Sequence, residues 1–544
     1  MNRKKRIFTM ISLIVIVPVM LFCTGTEEST TTQIEVSSPG EFPIVEDKVT
    51  LNIYIGVTEQ VEDMATNDFT KWYEDKTNVH VEWEQVPLDQ AKDKLNILLA
   101  SGDYPEIISV KDGFSRAELM VYGSQGILIP LNSYIDQHGF FIKETLKEEP
   151  YIKDAITAPG GNIYTLPYVS EVYHSSMSNK IWVYQPWMDK LGLKVPQTTE
   201  DFYEMLKAFK TQDPNGNGKS DEIPFAGCVK GWRTEVGWTI MNAFIYSGDS
   251  NMRNRLMSEN GKINFVANKP DWRDGVRFYR RLYEEGLIAP ESFTQDRNGF
   301  RQMGEHPDAP ILGSAIAGWF GYFVINNGES GRFEEYTVIP PLEGPNGMRQ
   351  TSRYNHLVQP HFSITDKAKY PDIAIKYVDW LYSREGARSA GSGIKGVGWD
   401  DADPNGVTVL GEPAKFKTIS TYGTLTNYKW HHSMGLRGAA DNLLLSQTDP
   451  GGLEERLYRY TKQMYEPYAR KEILPYMWFD SDIVNEVAEL EQNINNYVDS
   501  SFARFVAGEL DIEGQDWANY VDQLEKIGVE KYVEYFQSAY DETH

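Results

Sequence analysis

From Val49 onward apolar residues alternate through Leu51, Ile53 and Ile55, the period of a strand with one buried face. A helical stretch carrying Val61, Met64, Phe69 and Trp72 follows, then a second strand around Val79, Val81 and Trp83. Leu88, Ala91, Leu95, Leu98 and Leu99 recur at helical spacing, and Ile107, Ile108 and Val110 form a short run of the fully buried type. The order β-α-β-α-β predicts a mostly parallel sheet covered by helices.

A second α/β region begins near Lys180. Thr198 followed by Asp201 predicts a helix start, and Phe202, Met205, Leu206 and Phe209 form its apolar face. Ile311 to Ile316 and Tyr336 to Ile339 read as strands, and Ala374, Tyr377, Val378 and Leu381 as the buried stripe of another helix. Near the C-terminus, Val484, Val487, Leu490, Ile494, Val498, Phe502 and Phe505 step by three and four, and Trp517, Tyr520, Val521 and Leu524 resume the pattern after Gly514. These stripes are core. Neither a phosphate-binding glycine loop nor a Cys/His cluster of metal type is present, and His431 and His432, being adjacent, are expected to face apart.

The first residues change the picture of location. Arg3, Lys4, Lys5 and Arg6 precede sixteen mostly apolar residues, Ile7 to Phe22, and then Cys23. As a helix this run would rise about 24 Å, less than the roughly 30 Å hydrocarbon core, so residues 1–22 read as an export signal. Residues 23–47, rich in Thr, Ser and Glu, read as a flexible tether. The only other cysteine is Cys228, so the fold must stand on its core, which 41% hydrophobic and 13% aromatic residues supply for two domains.

The formal charge is −25, and −29 without the four basic signal residues. A phosphate backbone requires a concentrated basic face, so nucleic acid is excluded as a partner.

Candidate chemistry is clearest at residues 213–222, DPNGNGKSDE. Carboxylate and amide oxygens recur there around Gly218, as a hard cation wanting six to eight oxygens requires. Asp213, Asn215 and Asn217 each offer a side-chain oxygen, Lys219 a carbonyl, and Asp221 with Glu222 the closing carboxylates. The twelfth position, where a helix-loop-helix site carries a bidentate Glu, is Pro224. The alternative is a polar Asx-type turn. A second segment, DADPNGVTVLGE at 401–412, places Asp401, Asp403, Asn405 and Glu412 in the D-x-D-x-N-G-x5-E pattern, but Val407 to Leu410 reads as a strand leaving a turn.

Several stretches resemble the extracellular solute-binding proteins of carbohydrate ABC importers, in the large calcium-containing subgroup that includes alginate-oligosaccharide-binding proteins. They are SGDYPEII (101–108), WMDKLGLKVPQTTEDFYEMLKAFKTQDPNGNGKSDEIPFAG (187–227), LYEEGLIAPESF (282–293), PPLEGPNG (340–347) and the run from 493 to 532. The resemblance implies a two-domain periplasmic-binding-protein fold of class II type, with a hinge and extra C-terminal helices. Its N-terminal lobe would be 48–172 plus 355–398, and its C-terminal lobe 178–350 plus 405–544. It implies structural calcium at Asp213, Asn215, Asn217, Lys219, Asp221 and Glu222, lipidation of Cys23, ABC permease subunits as partners, an extracytoplasmic, membrane-anchored monomer, and no enzymatic activity.

Sugar faces are recognised by aromatic rings backed by fixed polar groups. Aromatics in glycine-rich loops are the best candidates: Trp319 in AGWFGY, Trp232 in KGWR, Trp399 in GVGW, and Tyr168. Arg233, Arg353, Asn355 and His356 are the polar candidates, and Arg233, Arg353 and Lys395 could receive an acidic sugar. The expected function is capture of an oligosaccharide by hinge closure. The rivals are a secreted carbohydrate-active enzyme, which needs two carboxyl groups across a cleft, for which Glu235 or Asp400 are available, and a sugar sensor or adhesin.

Overall fold

The computed structural model describes residues 34–229, 231–248, 254–353, 357–419, 422–438, 452–480 and 482–542. The export signal and Cys23 lie outside them. The alternating run at the start becomes the strand Val49–Val57, which pairs in parallel with Val79–Pro87 on one side and Ile107–Ser109 on the other. Leu357–Ile364 then joins antiparallel between Ile107–Ser109 and Leu166–Ser170, and Arg437–Gly438 closes the far edge in parallel. The six-stranded sheet is therefore mixed, with a parallel half built from the β-α-β-α-β segment.

The first helix is shorter than its periodicity predicts. It spans Asp68–Thr77, with Asn67 accepting from the Phe69 amide as its cap, so Val61 and Met64 are buried from a preceding loop. Val61 pairs there with Thr426 in an isolated bridge. The periodicity marked burial correctly, but Asn67 starts the helix later.

A second sheet holds Ser314–Ile316, Ile181–Tyr184 and Tyr336–Ile339, all antiparallel. Behind it lies the helix Thr199–Thr211, whose start is the expected box: Thr198 accepts from the Asp201 amide, and Asp201 accepts from the Thr198 amide. Its other end feeds the loop at 213–222. The chain crosses from the first lobe to the second between Ser170 and Ile181, and back between Ile339 and Leu357. The C-terminal stripe forms the helix Val484–Ala507, which packs on Pro270–Glu284 of the second lobe and on Arg116–Ser124 of the first.

Two expected boundaries move. Residues 34–47 do not all behave as tether: Val36 bridges Val45, Ile44 and Val45 are buried, and Lys376 Nζ donates to the carbonyls of Ser37 and Ser38. Residues 422–438, expected in the second lobe, belong to the first. Trp430 is fully buried, edge-on to Phe69 at 4.7 Å and to Tyr73 at 5.4 Å, and its Nε1 donates to Thr70 Oγ1 at 2.6 Å. A buried indole with its one donor satisfied fixes the segment where it packs.

Candidate functional site

The three parallel strands all end on one side, and the residues just beyond them, Thr58 and Glu59, Leu88, and Lys111, line a cleft of about 1130 Å³. Ligand sites in such sheets lie outside the carboxyl ends of the strands. The first lobe adds Tyr168 and the segment carrying Tyr422, Lys429, His431 and His432. Across from them the second lobe contributes Trp232, Arg297, Trp319 and Tyr322.

Two of these aromatics depend on glycine. A Cβ on Gly318 would stand 2.1 Å from the Trp232 ring, so only a bare backbone lets that indole lie where it does. Trp319 is pressed against Phe320 at 5.5 Å and Tyr422 at 5.2 Å, with Gly423 against its edge, and is 7% exposed.

The first-lobe wall is a layer of rings and cations. Lys111 Nζ sits 4.2 Å over the Tyr168 ring, His432 stands edge-on to Tyr168 at 5.3 Å, and His431 and His432 lie 4.0 Å apart. Both histidines face the cleft, contrary to expectation. The cause is the backbone of His431, at φ +50, a left-handed conformation that breaks the alternation of neighbouring side chains.

Burial dominates the electrostatics here. It pushes the Lys111 ammonium down to about 8 against the pull of Asp112, and Lys429 down to about 8. It holds His361 at about 3, and His431 and His432 well below the usual range, so all three rings are neutral at pH 7. His361 Nε2 lies 3.1 Å from the Ser433 carbonyl and so carries the proton.

The carboxylates nearby are mostly engaged. Arg437 holds Glu171 through Nε at 2.8 Å and Nη2 at 3.0 Å. Glu59 pairs with Arg297 across the cleft, and His174 Nε2 lies 3.4 Å from Glu454.

Of the sequence-predicted ligand residues, Trp319, Trp232 and Tyr168 line the cleft and Trp399 does not. Trp399 is buried beside Phe416, and its Nε1 donates to the Gly393 carbonyl at 2.9 Å. Arg233 is 2% exposed behind Trp232, donating from Nε to Ser178 Oγ at 2.9 Å, and Arg353 stands near Glu466 and Tyr173. Lys395 pairs with Asp401. Asn355 and His356 lie outside the described residues. Neither Glu235 nor Asp400 lines the cleft. Sequence reasoning missed Lys111, Lys429, Tyr422 and the two histidines; the KWHH run at 429–432 was the available signal.

The loop at 213–222 is organised by Asp213. Its Oδ1 accepts from the amides of Gly216 at 2.9 Å and Asn217 at 3.1 Å, and its Oδ2 from Gly218 at 3.1 Å. Asn215 and Asn217 each donate to Asp221, holding its carboxyl below the usual range. Glu222 Oε1 is buried with no hydrogen-bond partner, and burial, then repulsion from Asp221 and Asp213, pushes its carboxyl up. Among the described residues no three His, Cys, Asp or Glu side chains form a ready-made metal cluster, so amides and a carbonyl would have to complete any shell. A buried carboxylate oxygen without a donor, beside two further carboxylates, is nevertheless what a calcium ion relieves, and the donor set fits one.

The 401–412 segment is a hairpin tip. Trp399–Asp401 pairs with Phe416–Thr418, Val407 bridges Pro413, and Asp401 and Asp403 are paired with Lys395 and Lys417. Two of its three candidate acids, Asp401 and Asp403, therefore already have lysine partners.

Residues 56–388 match the family described as bacterial extracellular solute-binding protein. The chain is 30% identical over 497 residues, 86% of each protein, to the fructooligosaccharide ABC transporter substrate-binding protein FusA of Streptococcus pneumoniae serotype 4 (strain ATCC BAA-334 / TIGR4). Structures of S. pneumoniae FusA with kestose, and of its EF-hand mutant with fructo-nystose, superpose with TM-score 0.77 at 26% identity, covering 91% of this chain and 99% of theirs. Alginate-binding protein AlgQ2 without calcium ion shares the fold, with TM-score 0.71 at 23% identity over 91% of this chain and 99% of that one.

Proposed function

The chain belongs to the bacterial extracellular solute-binding protein family, and from that premise we propose that it captures an oligosaccharide for a membrane importer of the ABC type. The observation that carries this reading is the cleft itself: Trp232, Trp319, Tyr168, Tyr322 and Tyr422 offer ring faces and edges on two lobes, in a volume suited to more than one sugar unit. The S. pneumoniae relative, a fructooligosaccharide ABC transporter substrate-binding protein, supports it. Binding energy comes from ring stacking and hydrogen bonds as the lobes close, and no bond is broken.

Under the same reading, residues 1–22 direct export and Cys23 carries the lipid that holds a monomer on the extracytoplasmic face of the membrane, where it meets permease subunits. Calcium is held by Asp213, Asn215, Asn217, the Lys219 carbonyl, Asp221 and Glu222. Bound there, it supplies positive charge to Glu222 and pins the turn after helix Thr199–Thr211, away from the sugar. The EF-hand mutant among the similar structures supports a calcium site in this fold.

Thermal melting of the mature chain against neutral and acidic oligosaccharides, with product analysis, tests the proposal. A ligand-specific rise in Tm with the sugar intact is expected. Cleavage of the sugar would transfer the protein to the carbohydrate-active enzymes, and a flat response to the whole panel would remove the carbohydrate reading.

A further inference from the structure

We infer that the sugar taken by this cleft carries an oxyanion, a uronate carboxylate or a sulfate ester, received by Lys429 and Lys111 beside His431. The inference rests on the carbohydrate reading above and narrows it. Lys429 is 2% exposed, yet among the described residues its ammonium has neither a carboxylate nor a hydrogen-bond acceptor; it lies 5.7 Å from the centroid of the Tyr428 ring. Lys111 lies over Tyr168, and the carboxylate beside it, Asp112, already accepts from Gln359 Nε2. His431 is 3% exposed, lies within electrostatic reach of both lysines, and neither ring nitrogen has a partner.

Buried ammonium groups are costly without a counter-charge. Asp112 offsets the burial of Lys111 only in part, and the carboxylates lining the cleft give Lys429 none: Glu59 is paired with Arg297, Glu454 faces His174, Asp63 accepts from the Thr66 amide and Gln85, Asp296 accepts from the Gly299 amide, and Glu62 and Asp89 are exposed at the rim. The hydroxyls of a neutral sugar would replace the lost hydrogen bonds of water but not the charge. An oxyanion supplies both, through charge-assisted bonds to the ammonium groups and acceptance from a histidine N–H.

The test is titration calorimetry of the mature chain at pH 7 with trigalacturonate, triguluronate and a sulfated carrageenan tetrasaccharide. The comparison arm holds the carboxyl-reduced or desulfated counterparts and kestose. At least one charged sugar is expected to bind and its neutral counterpart to bind at least about ten-fold more weakly. Lys429→Met and Lys111→Met should each cost the charged sugar about ten-fold or more and so narrow its advantage over the neutral counterpart, and Lys429→Arg should restore most of that advantage. The carboxylate and sulfate arms identify the oxyanion. Kestose or a neutralised oligosaccharide binding as tightly as the charged forms would overturn the inference and leave the carbohydrate reading standing. Absence of binding in both arms would overturn both.

Discussion

Tyr422 stands edge-on to Trp319 with ring centroids 5.2 Å apart, and the two rings come from opposite lobes. The Tyr422 segment is anchored to the first lobe by Trp430, and Trp319 follows the second-lobe strand Ser314–Ile316. Their contact therefore ties the two lobes together across the cleft in this structure. An edge-to-face pair contributes about 0.5–1.5 kcal/mol beyond its buried area. Tyr422→Ala is expected to weaken sugar binding about five-fold and to enlarge the ligand-free radius of gyration; Tyr422→Phe, which keeps the ring, should do neither. Scattering and calorimetry on the same samples decide it.

Glu59 and Arg297 form the charged counterpart of that contact. Glu59 is 51% exposed, so the pair contributes at most about 1 kcal/mol and is screened by salt. Glu59→Gln should weaken binding two- to five-fold, roughly the same energy expressed as affinity, and should flatten the salt dependence that the unaltered protein shows. Equal salt slopes in the two proteins would refute this role.

Calcium binding predicts a chelator effect. A ligand present at about 100 times its Kd stabilises by about 2.7 kcal/mol, so chelation should lower Tm by a few degrees and Asp213→Ala should abolish that response. The pH sign follows from Glu222. Its folded carboxyl is raised, so without the ion its penalty is absent below the unfolded pKa and grows as pH rises through the folded value. The gap between calcium-loaded and chelated melts should therefore widen from acid to neutral pH. A gap that narrows would count against Glu222 as a ligand.

Lys429 predicts a stability crossover of the opposite sense. Burial depresses it to about 8 from 10.5, so the fold disfavours its charged form fully below about pH 8, and the penalty fades as pH approaches 10.5. Ligand-free Lys429→Met should be more stable than the parent at pH 7 by on the order of 3 kcal/mol, with the advantage shrinking above pH 8. Parallel denaturant melts cancel the titration of other lysines and tyrosines. A difference that stays constant with pH would show that the ammonium is not desolvated.

Elements whose signal is local were legible in the sequence. The Thr198–Asp201 box, the strand Tyr336–Ile339 and the helix Val484–Ala507 all stand where spacing placed them. What depended on distant partners was not. Trp399 sat in a glycine-rich loop like Trp232 and Trp319, yet Phe416 and the Gly393 carbonyl claim it for a hairpin. The first-lobe position of residues 422–438 is set by Trp430 meeting Phe69 and Tyr73, rings more than three hundred positions away in sequence. The facing of His431 and His432 turns on a single positive φ, which residue type alone does not announce.

The helix Val484–Ala507, about 36 Å long at 1.5 Å per residue, rests on Pro270–Glu284 in one lobe and Arg116–Ser124 in the other. Under the proposed closure it acts as an axle. Two bodies joined only by crossing strands could shear, twist or splay, but a stiff rod seated on both leaves rotation about its own length as the cheapest motion. The swing of the cleft mouth is then set from behind, by how tightly that rod is bedded, so substitutions on its buried face should change how far the jaws travel without touching a residue that meets sugar.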